Sequence, residues 1–282
     1  MILVHILTAL LKYERESFNQ TADTGEVWVK IPNVRSSASD DNKFYLYYRT
    51  QDTTDGADPT NVWDSNYVMV LHMEEGGTGT RQDSTKYNND ATPQNYADAD
   101  VEATTGKIDG ADNLDGDATG GDYLQTTSQE SKTATNITWE AWFKTDTISA
   151  RTHLLWEGPA TENGWGAGAN GYQEMHISTD TNLMTAFYGT NENGGDMQID
   201  LSFTDTTNYH YAAFVLTNAG TSPSGTFYVD TTSGSDRGNQ TSRTEWNTNL
   251  RIGRPGADTR YWNGIVDEVR ISNVTRSADW IK

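Results

Sequence analysis

An aspartate in the C-terminal stretch Gly264–Ser272 is the residue of this chain best placed to bind a cation. An alternating strand places Asp267 in one row with three aliphatic residues, and that row is expected to face the core. The three are Ile265, Val269 and Ile271. A carboxylate among inward-facing aliphatic side chains is costly unless a cation or a guanidinium meets it. The sequence therefore predicts Ca²⁺ at Asp267, with a salt bridge to Arg254 or Arg270 as the alternative.

The histidines and acidic loops carry no recognisable metal or catalytic motif. The 5 His are never spaced as in His-x-x-x-His or His-Glu-x-x-His, so zinc is not expected. Residues 112–117 lack the alternate-position ligand spacing of an EF-hand loop. Residues 166–171 have the glycine spacing of a dinucleotide loop, but a strand pattern follows, and no helix N-terminus is available for a phosphate. Because Gly-x-Ser-x-Gly and P-loop motifs are also absent, we expect no catalytic residue.

Two loop stretches combine aromatic side chains with amides and charges, as a glycan-binding rim requires. Sugar rings stack on aromatic faces, and their hydroxyl groups hydrogen-bond to polar side chains. Trp165 is the first candidate because it lies among glycines rather than in an alternating strand. The other predicted ligand-binding residues are Asn170, Tyr172, Arg260 and Tyr261. For each of these, the alternative is a structural role as a partly buried loop residue.

β-Strands must position these residues, because short alternating runs separated by turn-forming clusters recur along the chain. From residue 67 onward these runs follow one another without sustained helical periodicity, which predicts an all-β sandwich of two antiparallel sheets. Residues 26–31 and 43–49 predict strands in a small N-terminal β module at residues 1–50. Turn formers in residues 51–66 predict a linker, with Trp63 packing at the junction.

The composition is that of a folded, strongly acidic protein. The chain has 282 residues, and its formal net charge of -20 disfavours nucleic acid and anionic membrane surfaces as partners. Its 9 Trp, 14 Tyr and 7 Phe distinguish it from a disordered acidic chain. The absence of cysteine excludes disulfides and thiolate metal sites. The apolar run at residues 1–11 is too short to span a bilayer, so we expect no membrane insertion.

Several motifs resemble, in the same order, those of LamG-like modules, the laminin-G branch of the concanavalin A-like lectin and glucanase superfamily. Gly264-Ile-Val-Asp-Glu-Val-Arg-Ile271 is similar to the closing strand, and Tyr67-Val-Met-Val-Leu-His-Met-Glu-Glu75 to the opening strand. The motifs between them are Asp83-Ser-Thr-Lys-Tyr-Asn-Asn-Asp-Ala-Thr92, Thr105-Gly-Lys-Ile-Asp-Gly-Ala-Asp-Asn-Leu-Asp-Gly116 and Ile137-Thr-Trp-Glu-Ala-Trp-Phe-Lys144. The resemblance implies a concanavalin A-like jelly-roll sandwich at residues 67–282.

The resemblance also implies a calcium site without the usual catalytic motif. In this superfamily the aspartate of the closing strand, here Asp267, binds structural Ca²⁺ together with main-chain carbonyls. The matching motifs implicate carbonyls near Glu74 and Gly116, and Asp83 from the first long loop. The retaining glucanases use Glu-x-Asp-x-x-Glu, but this chain contains no Glu-x-Asp. The LamG pattern further implies that Trp262 packs in the core.

The N-terminal module resembles the C-terminal half of the DUF2341 family, a β module of unknown function. The similar stretches are Leu11–Ser17, Val27–Pro32 and Phe44–Tyr48, whereas the family's Tyr-Tyr-Gly-Asn ending is replaced by Tyr47-Tyr-Arg-Thr50. Because the first half of the module is not recognisable, its sheet is expected to have unpaired edges. Self-assembly through the N-terminal β module is therefore a further expectation.

These features predict a non-catalytic, calcium-stabilised recognition module that binds a glycan or a cell-surface or extracellular protein, in adhesion or polysaccharide processing. The expected location is extracellular, on a cell surface or on a virion. The alternative is a structural subunit or decoration protein of a surface appendage or virion. A glycoside hydrolase that lacks the family's usual motif is the third hypothesis.

Overall fold

Strands make up nearly all the regular structure in the computed structural model, which describes residues 2–6, 9–32, 44–48, 55–96, 103–117, 120–127, 134–148, 150–158, 172–178, 182–189, 196–219, 222–237, 249–256 and 259–281. Within these ranges the helical elements are a 3-10 turn at Pro59–Asn61 and a short helix, α1, at Ala278–Ile281. Neither is long and apolar enough to cross a membrane.

The described part of the N-terminal module consists of short strands in two separate sheets. The strands are β1 (Ile2–Ile6), β2 (Ala9–Leu10), β3 (Tyr13–Asn19), β4 (Thr24–Val29) and β5 (Tyr45–Tyr48). β1 pairs with β2 and β5 in a three-stranded sheet, whereas β3 and β4 form a hairpin. The strands predicted at residues 26–31 and 43–49 correspond to β4 and β5.

The following strands form two antiparallel sheets around one core. They are β6 (Tyr67–Leu71), β7 (Ala91–Gln94), β8 (Ala103–Thr105), β9 (Gly110–Asp115), β10 (Tyr123–Thr126), β11 (Ile137–Thr145), β12 (Thr152–Glu157), β13 (Tyr172–Ser178), β14 (Leu183–Gly189), β15 (Met197–Ser202), β16 (His210–Thr217), β17 (Ser224–Val229), β18 (Thr232–Arg237), β19 (Arg251–Ile252) and β20 (Asn263–Ser272). The 7-stranded sheet has the order β15-β14-β13-β12-β19-β10-β7. The 8-stranded sheet has the order β18-β17-β16-β11-β20-β9-β8, with β6 also paired to β20. The predicted all-β sandwich is confirmed.

The core lies between the two sheets and takes alternate residues from most of their strands. It includes Trp139 and Phe143 from β11 and Met175 and Ile177 from β13. Trp262 is fully buried in the same cluster, where its ring packs edge-on against Phe143 at 5.7 Å between centroids. This confirms the expected core position of Trp262. The side chains that alternate with core residues point to the outer faces of the sheets, where the candidate sites lie.

A β-bulge in β20 changes the expected orientation of Asp267. The register between β11 and β20 shifts between Asp267 and Arg270, and Glu268 adopts a left-handed φ of 51°. An extra residue reverses the alternation of a strand, so Val266 and Val269 both belong to the core. The predicted core-facing row was therefore wrong for Ile265 and Asp267, whereas Val269 and Ile271 belong to the core. The bulge places both Asp267 and Glu268 on the outer face of the 8-stranded sheet.

The β3–β4 hairpin packs on this outer face. Trp28 of β4 and Trp63 lie 5.3 Å apart between ring centroids. The Arg270 guanidinium of β20 stacks on both rings, at 4.5 Å from Trp28 and 5.1 Å from Trp63. Trp63 Nε1 also donates to the Glu14 carboxylate of β3 at 2.8 Å. These contacts confirm that Trp63 packs at the junction between the N-terminal module and the sandwich.

Candidate functional site

Asp267 lies in a closed polar pocket beside the turn that joins β8 to β9. Its Oδ2 accepts the backbone N–H groups of Lys107 at 2.6 Å and Ile108 at 3.1 Å. Its Oδ1 is buried and has no hydrogen-bond partner. Burial raises the pKa of the Asp267 carboxyl to about 7, and the charge of Glu268 acts in the same direction. Asp267 therefore offers one free, buried oxygen to a cation.

Two glycines bring Glu74 close to this pocket. A Cβ at Gly106 would lie 2.5 Å from Asp267 Oδ2 and 2.4 Å from the carbonyl oxygen of Gly110. A Cβ at Gly110 would lie 2.8 Å from the Cα of Glu74. Burial raises the pKa of the Glu74 carboxyl to about 7. Carboxylate and carbonyl oxygens are the ligands that Ca²⁺ prefers, and the free Asp267 Oδ1 is an oxygen of this kind.

The other two residues predicted for the calcium site lie in hydrogen-bonded turns. The Asp83 carboxylate accepts hydrogen bonds within its own loop and from β6, at 2.7–3.0 Å. Its donors are the backbone N–H groups of Val70, Thr85 and Asn89 and the hydroxyl of Thr85. Gly116, with φ 68°, turns against Asn263 at the start of β20. Gly116 lies just beyond the C-terminal end of β9, whereas the Glu74 backbone packs against Gly110 at its start. The assignment of all four residues to a calcium site stays a prediction.

The outer face of the 7-stranded sheet carries a continuous row of polar and aromatic side chains. Directly paired residues of antiparallel strands point to the same face, so the register defines the row. From β7 to β15 it runs Thr92, Gln125, Arg251, Trp156, Glu174, Phe187 and Gln198. We call this set the transverse row. Thr92 and Gln198 at its ends are exposed and Gln125 and Arg251 are half-buried, whereas Trp156, Glu174 and Phe187 at its centre are buried. The accessible part of the row supplies hydrogen-bonding groups of the kind that sugar hydroxyls require.

A cluster of one arginine and two tyrosines lies next to this row. The Arg254 guanidinium stacks on the rings of Tyr123 at 4.8 Å and Tyr261 at 5.1 Å. Arg254 Nε has no hydrogen-bond partner, and within the described ranges no carboxylate forms an ion pair with Arg254. We call these three residues the arginine–tyrosine cluster. A cation without a carboxylate partner is notable in a chain with net charge -20.

The five predicted ligand-binding residues fall into three groups according to their position in the structure. Tyr261 belongs to the arginine–tyrosine cluster, and Arg260 precedes it, with its carbonyl accepting the backbone N–H of His153 at 3.2 Å. Tyr172 lies in β13, 1% exposed, and stacks on Phe187 at 4.7 Å. The remaining two, Trp165 and Asn170, lie outside the described residues. The role of all five in ligand binding stays a prediction.

Two histidines and a glutamate converge on the outer face of the 7-stranded sheet, a group that sequence spacing did not predict. His153 of β12 pairs directly with His176 of β13, and Glu174 precedes His176 by one outward-facing position. His153 Nε2 lies 2.9 Å from Glu174 Oε2, and His176 Nδ1 lies 3.0 Å from Glu174 Oε1. We call this group the His153 cluster. Its one sequence signal is the outward pair in Glu174-Met-His176, and no local spacing links that pair to His153.

A second buried cluster joins the β3–β4 hairpin to the sandwich. His72 Nδ1 lies 2.7 Å from Glu268 and 3.6 Å from Glu16, and His72 Nε2 lies 3.4 Å from Glu14. Although burial lowers the pKa of His72, contacts with Glu14 and Glu268 outweigh it and raise the pKa to about 10. Burial and the charge of Glu268 raise the pKa of Glu16 to about 8. We call these four residues the interface cluster. Its charges balance when Glu16 is protonated and the neighbouring Arg270, which pairs with Glu268, is counted with them.

Comparisons with solved structures show the fold. The chain is similar to domain 4 of AbnA, a GH43 extracellular arabinanase from Geobacillus stearothermophilus in complex with arabinotriose, with a TM-score of 0.54 and 13% identity over 77% of this chain and 96% of that chain. It is also similar to the binding domain of Botulinum neurotoxin DC in complex with rat synaptotagmin II, with a TM-score of 0.56 and 11% identity over 77% of this chain. For the binding domain of Paraclostridial Mosquitocidal Protein 1 the TM-score is 0.55, with 13% identity over 77% of this chain. The chain spans 50% and 51% of these two binding-domain chains.

Two family models match the sequence. DUF2341, a domain of unknown function, matches residues 6–90, and a model of the concanavalin A-like lectin/glucanases superfamily matches residues 117–282. These matches confirm the predicted order of the two families, whereas the predicted module limits at residues 50 and 66 stay a prediction. Among curated proteins, no sequence matches the chain. Because the second match spans more than half of its length, the chain belongs to the concanavalin A-like lectin/glucanases superfamily.

Proposed function

We propose that this protein is a non-catalytic recognition module that binds a glycan or a surface protein outside the cell. The binding surface comprises the accessible residues Thr92, Gln125 and Arg251 of the transverse row together with the arginine–tyrosine cluster on the 7-stranded sheet. Structural Ca²⁺ at Asp267 and Glu74 stabilises the opposite sheet. The observation that carries the proposal is Arg254, whose guanidinium is held between two tyrosine rings and has no carboxylate partner among the described residues.

The chemistry of this surface suits an oxygen-rich ligand. A guanidinium donates several hydrogen bonds in a fixed plane and pairs well with carboxylate or hydroxyl oxygens. Tyr123 and Tyr261 keep this group in place and add aromatic surface on which a sugar ring can stack. In the structurally similar arabinanase domain the bound ligand is arabinotriose, and in the neurotoxin domain it is synaptotagmin II. Both precedents are consistent with recognition of a glycan or a protein by this fold.

The absence of a catalytic carboxylate pair favours binding over hydrolysis. The Glu-x-Asp-x-x-Glu motif of the retaining glucanases is missing from the sequence. On the transverse row, Glu174 is committed to Arg151, whose Nη2 donates to it at 2.7 Å. Assaying each bound glycan for released reducing sugar tests the hydrolase alternative directly. Turnover of a glycan would replace the recognition proposal with an enzymatic one.

Glycan-array binding with an arginine variant tests the proposed surface. Arg254→Ala is expected to weaken binding to the recognised glycan at least about tenfold, because losing hydrogen bonds to a charged group costs about 1.5–3 kcal/mol. Trp165→Ala is expected to weaken binding to the same glycan. Arg237→Ala, an exposed arginine of β18 on the other sheet, is the matched control and should bind as the unchanged protein does. If the array shows no ligand, or if Arg254→Ala binds equally well, glycan recognition by this surface is wrong.

The alternative of a structural or assembly subunit rests on exposed apolar side chains in the N-terminal module. Leu10 is 66% exposed, Phe18 60%, Phe44 46% and Leu46 48%. Surfaces of this kind mark contacts with other protein chains more often than contacts with sugars. Measuring the oligomeric state as a function of concentration distinguishes the two candidates.

A further inference from the structure

The polar atoms of the His153 cluster converge on one point without satisfying one another. His153 Nε2, Glu174 Oε2 and His176 Nδ1 are all buried and all lack a hydrogen-bond partner. The separations of 2.9 Å and 3.0 Å across the cluster are short, yet neither contact has hydrogen-bond geometry. Leaving a buried polar atom unpartnered costs about 1–3 kcal/mol, so three such atoms in one place call for a common partner.

The surroundings of the cluster prepare its atoms to donate lone pairs. His153 Nδ1 lies 3.4 Å from the carbonyl oxygen of Arg260, which suits a proton on Nδ1 and leaves the Nε2 lone pair directed at Glu174. Metal-binding histidines commonly use their second ring nitrogen in this way. Arg151 Nη2 donates to Glu174 Oε1 at 2.7 Å, which leaves Oε2 on the side of His153.

We propose that His153, Glu174 and His176 bind one divalent transition-metal ion of the zinc class. Two imidazoles and one carboxylate form a ligand set that zinc favours, whereas Ca²⁺ and Mg²⁺ prefer oxygen ligands. Ligand atoms of all three residues lie within 4.8 Å of one another. Tetrahedral zinc with bonds of about 2.0–2.2 Å places its ligand atoms roughly 3.4 Å apart, which is close to the separations of 2.9 and 3.0 Å between Glu174 and the two histidines. A water or a ligand oxygen completes the fourth position.

The position of the cluster gives the ion a direct link to the outer face of the 7-stranded sheet. Glu174 belongs to the transverse row, directly between Trp156 and Phe187. The ion would therefore lie against the surface proposed to bind ligand. Its binding depends on three side chains alone and can be measured without any glycan, so this proposal and the recognition proposal can fail separately.

The interface cluster is the competing site for a transition metal. Glu16, His72 and Glu268 also present ligand atoms within 4.8 Å of one another. There, however, His72 and Glu268 share a hydrogen bond at 2.7 Å, and Trp28 donates its indole N–H to Glu16. Arg270 additionally pairs with Glu268. These partners satisfy much of the interface cluster without an ion, so the His153 cluster is the better metal site.

Zinc titration of the full chain tests the proposal. After removal of metal with EDTA, competition with a chromophoric chelator should show one Zn²⁺ bound per chain. Substitution by Co²⁺ should give the intense visible absorption of a four-coordinate ion with nitrogen ligands. His176→Gln and the double variant His153→Gln/His176→Gln should weaken zinc binding by more than the 10- to 100-fold typical of losing an outer-shell partner. Glutamine approximates the size of histidine, and circular dichroism of the metal-free variants checks that they fold.

Two matched histidine variants locate the ion. His210→Gln changes a histidine that contacts Asp230 outside both clusters and should leave zinc affinity unchanged. His72→Gln removes the histidine of the interface cluster and should also leave it unchanged. The proposal is overturned if the unchanged protein binds no stoichiometric zinc, if His72→Gln abolishes binding, or if the double variant binds zinc as tightly as the unchanged protein.

Discussion

Two adjacent carboxylates in β20, Asp267 and Glu268, have different electrostatic surroundings. The bulge turns both Asp267 and Glu268 away from the core, and both are buried. Glu268 is surrounded by cations, since His72 and Arg270 contact its two oxygens. Asp267 receives two backbone N–H groups and no cationic side chain, so its charge is only partly compensated. The salt bridge to Arg270, predicted as the alternative for Asp267, is formed by Glu268 instead. Asp267 is therefore the carboxylate for which we propose a bound cation.

Calcium should stabilise the protein through Asp267. At a calcium concentration about 100 times the dissociation constant, a ligand that binds only the folded state adds about 2.7 kcal/mol to the free energy of unfolding. Differential scanning fluorimetry should thus show a higher Tm in CaCl₂ than in EGTA. Asp267→Asn should abolish this difference because the amide cannot supply the anionic oxygen. Asp279→Asn, in the exposed first turn of α1, is the control and should retain it. An equal calcium shift in Asp267→Asn would contradict the proposed site.

A glycine of the neighbouring turn provides an independent test of the same pocket. A methyl group at Gly106 would overlap Asp267 Oδ2 and the Gly110 carbonyl, at 2.5 and 2.4 Å from its carbon. Gly106→Ala should therefore displace the turn that donates to Asp267, lowering the Tm in EGTA and reducing the calcium shift together. Gly120→Ala, where a Cβ meets nothing within 4 Å, should change neither. A Gly106→Ala protein with unchanged Tm and calcium shift would show that the turn does not shape the pocket.

At the scale of elements, the β3–β4 hairpin is docked through the interface cluster. Glu14 and Glu16 of β3 meet His72 and Glu268 of the sandwich, while Trp28 and Trp63 cover them. Glu16 lacks a cation of its own because His72 is already shared with Glu14 and Glu268. The hairpin therefore docks with Glu16 protonated at neutral pH, and its docking becomes sensitive to alkali.

Folding stability should fall as pH rises through neutrality. The pKa of Glu16 is raised from 4.5 to about 8, so the folded state binds an extra proton between these values, and the free energy of unfolding decreases over that interval. The pKa of His72 is raised from 6.5 to about 10, so its contribution is complete below pH 6.5 and lost as pH rises to about 10. Tm measured in EGTA should thus decline from pH 6 to pH 10.

A neutral isostere at position 16 shows how much of this decline in Tm is due to the ionisation of Glu16. Glu16→Gln mimics the protonated carboxyl, so its Tm should decline less steeply than that of the unchanged protein between pH 6 and pH 8. Glu26→Gln, an exposed position on the same hairpin, should keep the original slope. Equal slopes in all three proteins would mean that Glu16 ionises without cost in the folded state.

Hydrophobic alternation predicted the strands that build the core, and it failed where polar residues or a bulge intervene. β11 and β20 alternate clearly, and the motif stretches 137–144 and 264–271 end within about two residues of the observed strand ends. β18, Thr-Ser-Gly-Ser-Asp-Arg, has no apolar residue and pairs with β17 through the backbone and a Thr226–Ser235 hydroxyl contact, so no hydrophobic pattern predicts it. The bulge at Glu268 reverses the facing of Asp267 without any break in the apolar pattern.

Functional groups were predicted where a single stretch contains them and missed where pairing assembles them. Asp267 and Tyr261 were identified from their own surroundings in the sequence. The His153 cluster depends on the register between β12 and β13, and the interface cluster joins residues of β3 and β20 to His72, which directly follows β6. Arg254 was considered only as a partner for Asp267, because its stacking between Tyr123 and Tyr261 requires β10 to lie beside β19. Tertiary pairing, rather than local spacing, creates these sites.

At the scale of the whole molecule, the two outer faces of the sandwich have different roles. The 8-stranded sheet is partly covered by the β3–β4 hairpin, which buries Glu14, Glu16 and His72. The 7-stranded sheet carries the transverse row, the arginine–tyrosine cluster and the His153 cluster. Changes at the hairpin are therefore expected to act on stability and assembly, and changes at the 7-stranded sheet on ligand binding.

The N-terminal three-stranded sheet is the part of the molecule best suited to contact another chain. β5 is an outer strand of the order β2-β1-β5, and it presents Leu46 48% exposed beside Phe44 at 46%. An exposed apolar edge strand is a template for pairing with a second strand, and a charged residue on it blocks that pairing.

Light scattering after gel filtration should show a mass that increases with concentration in the unchanged protein. Leu46→Lys should reduce this association, whereas Trp280→Lys, at a 52% exposed position on α1, should not. A monomer at every concentration, or equal association in both variants, would remove self-assembly through β5.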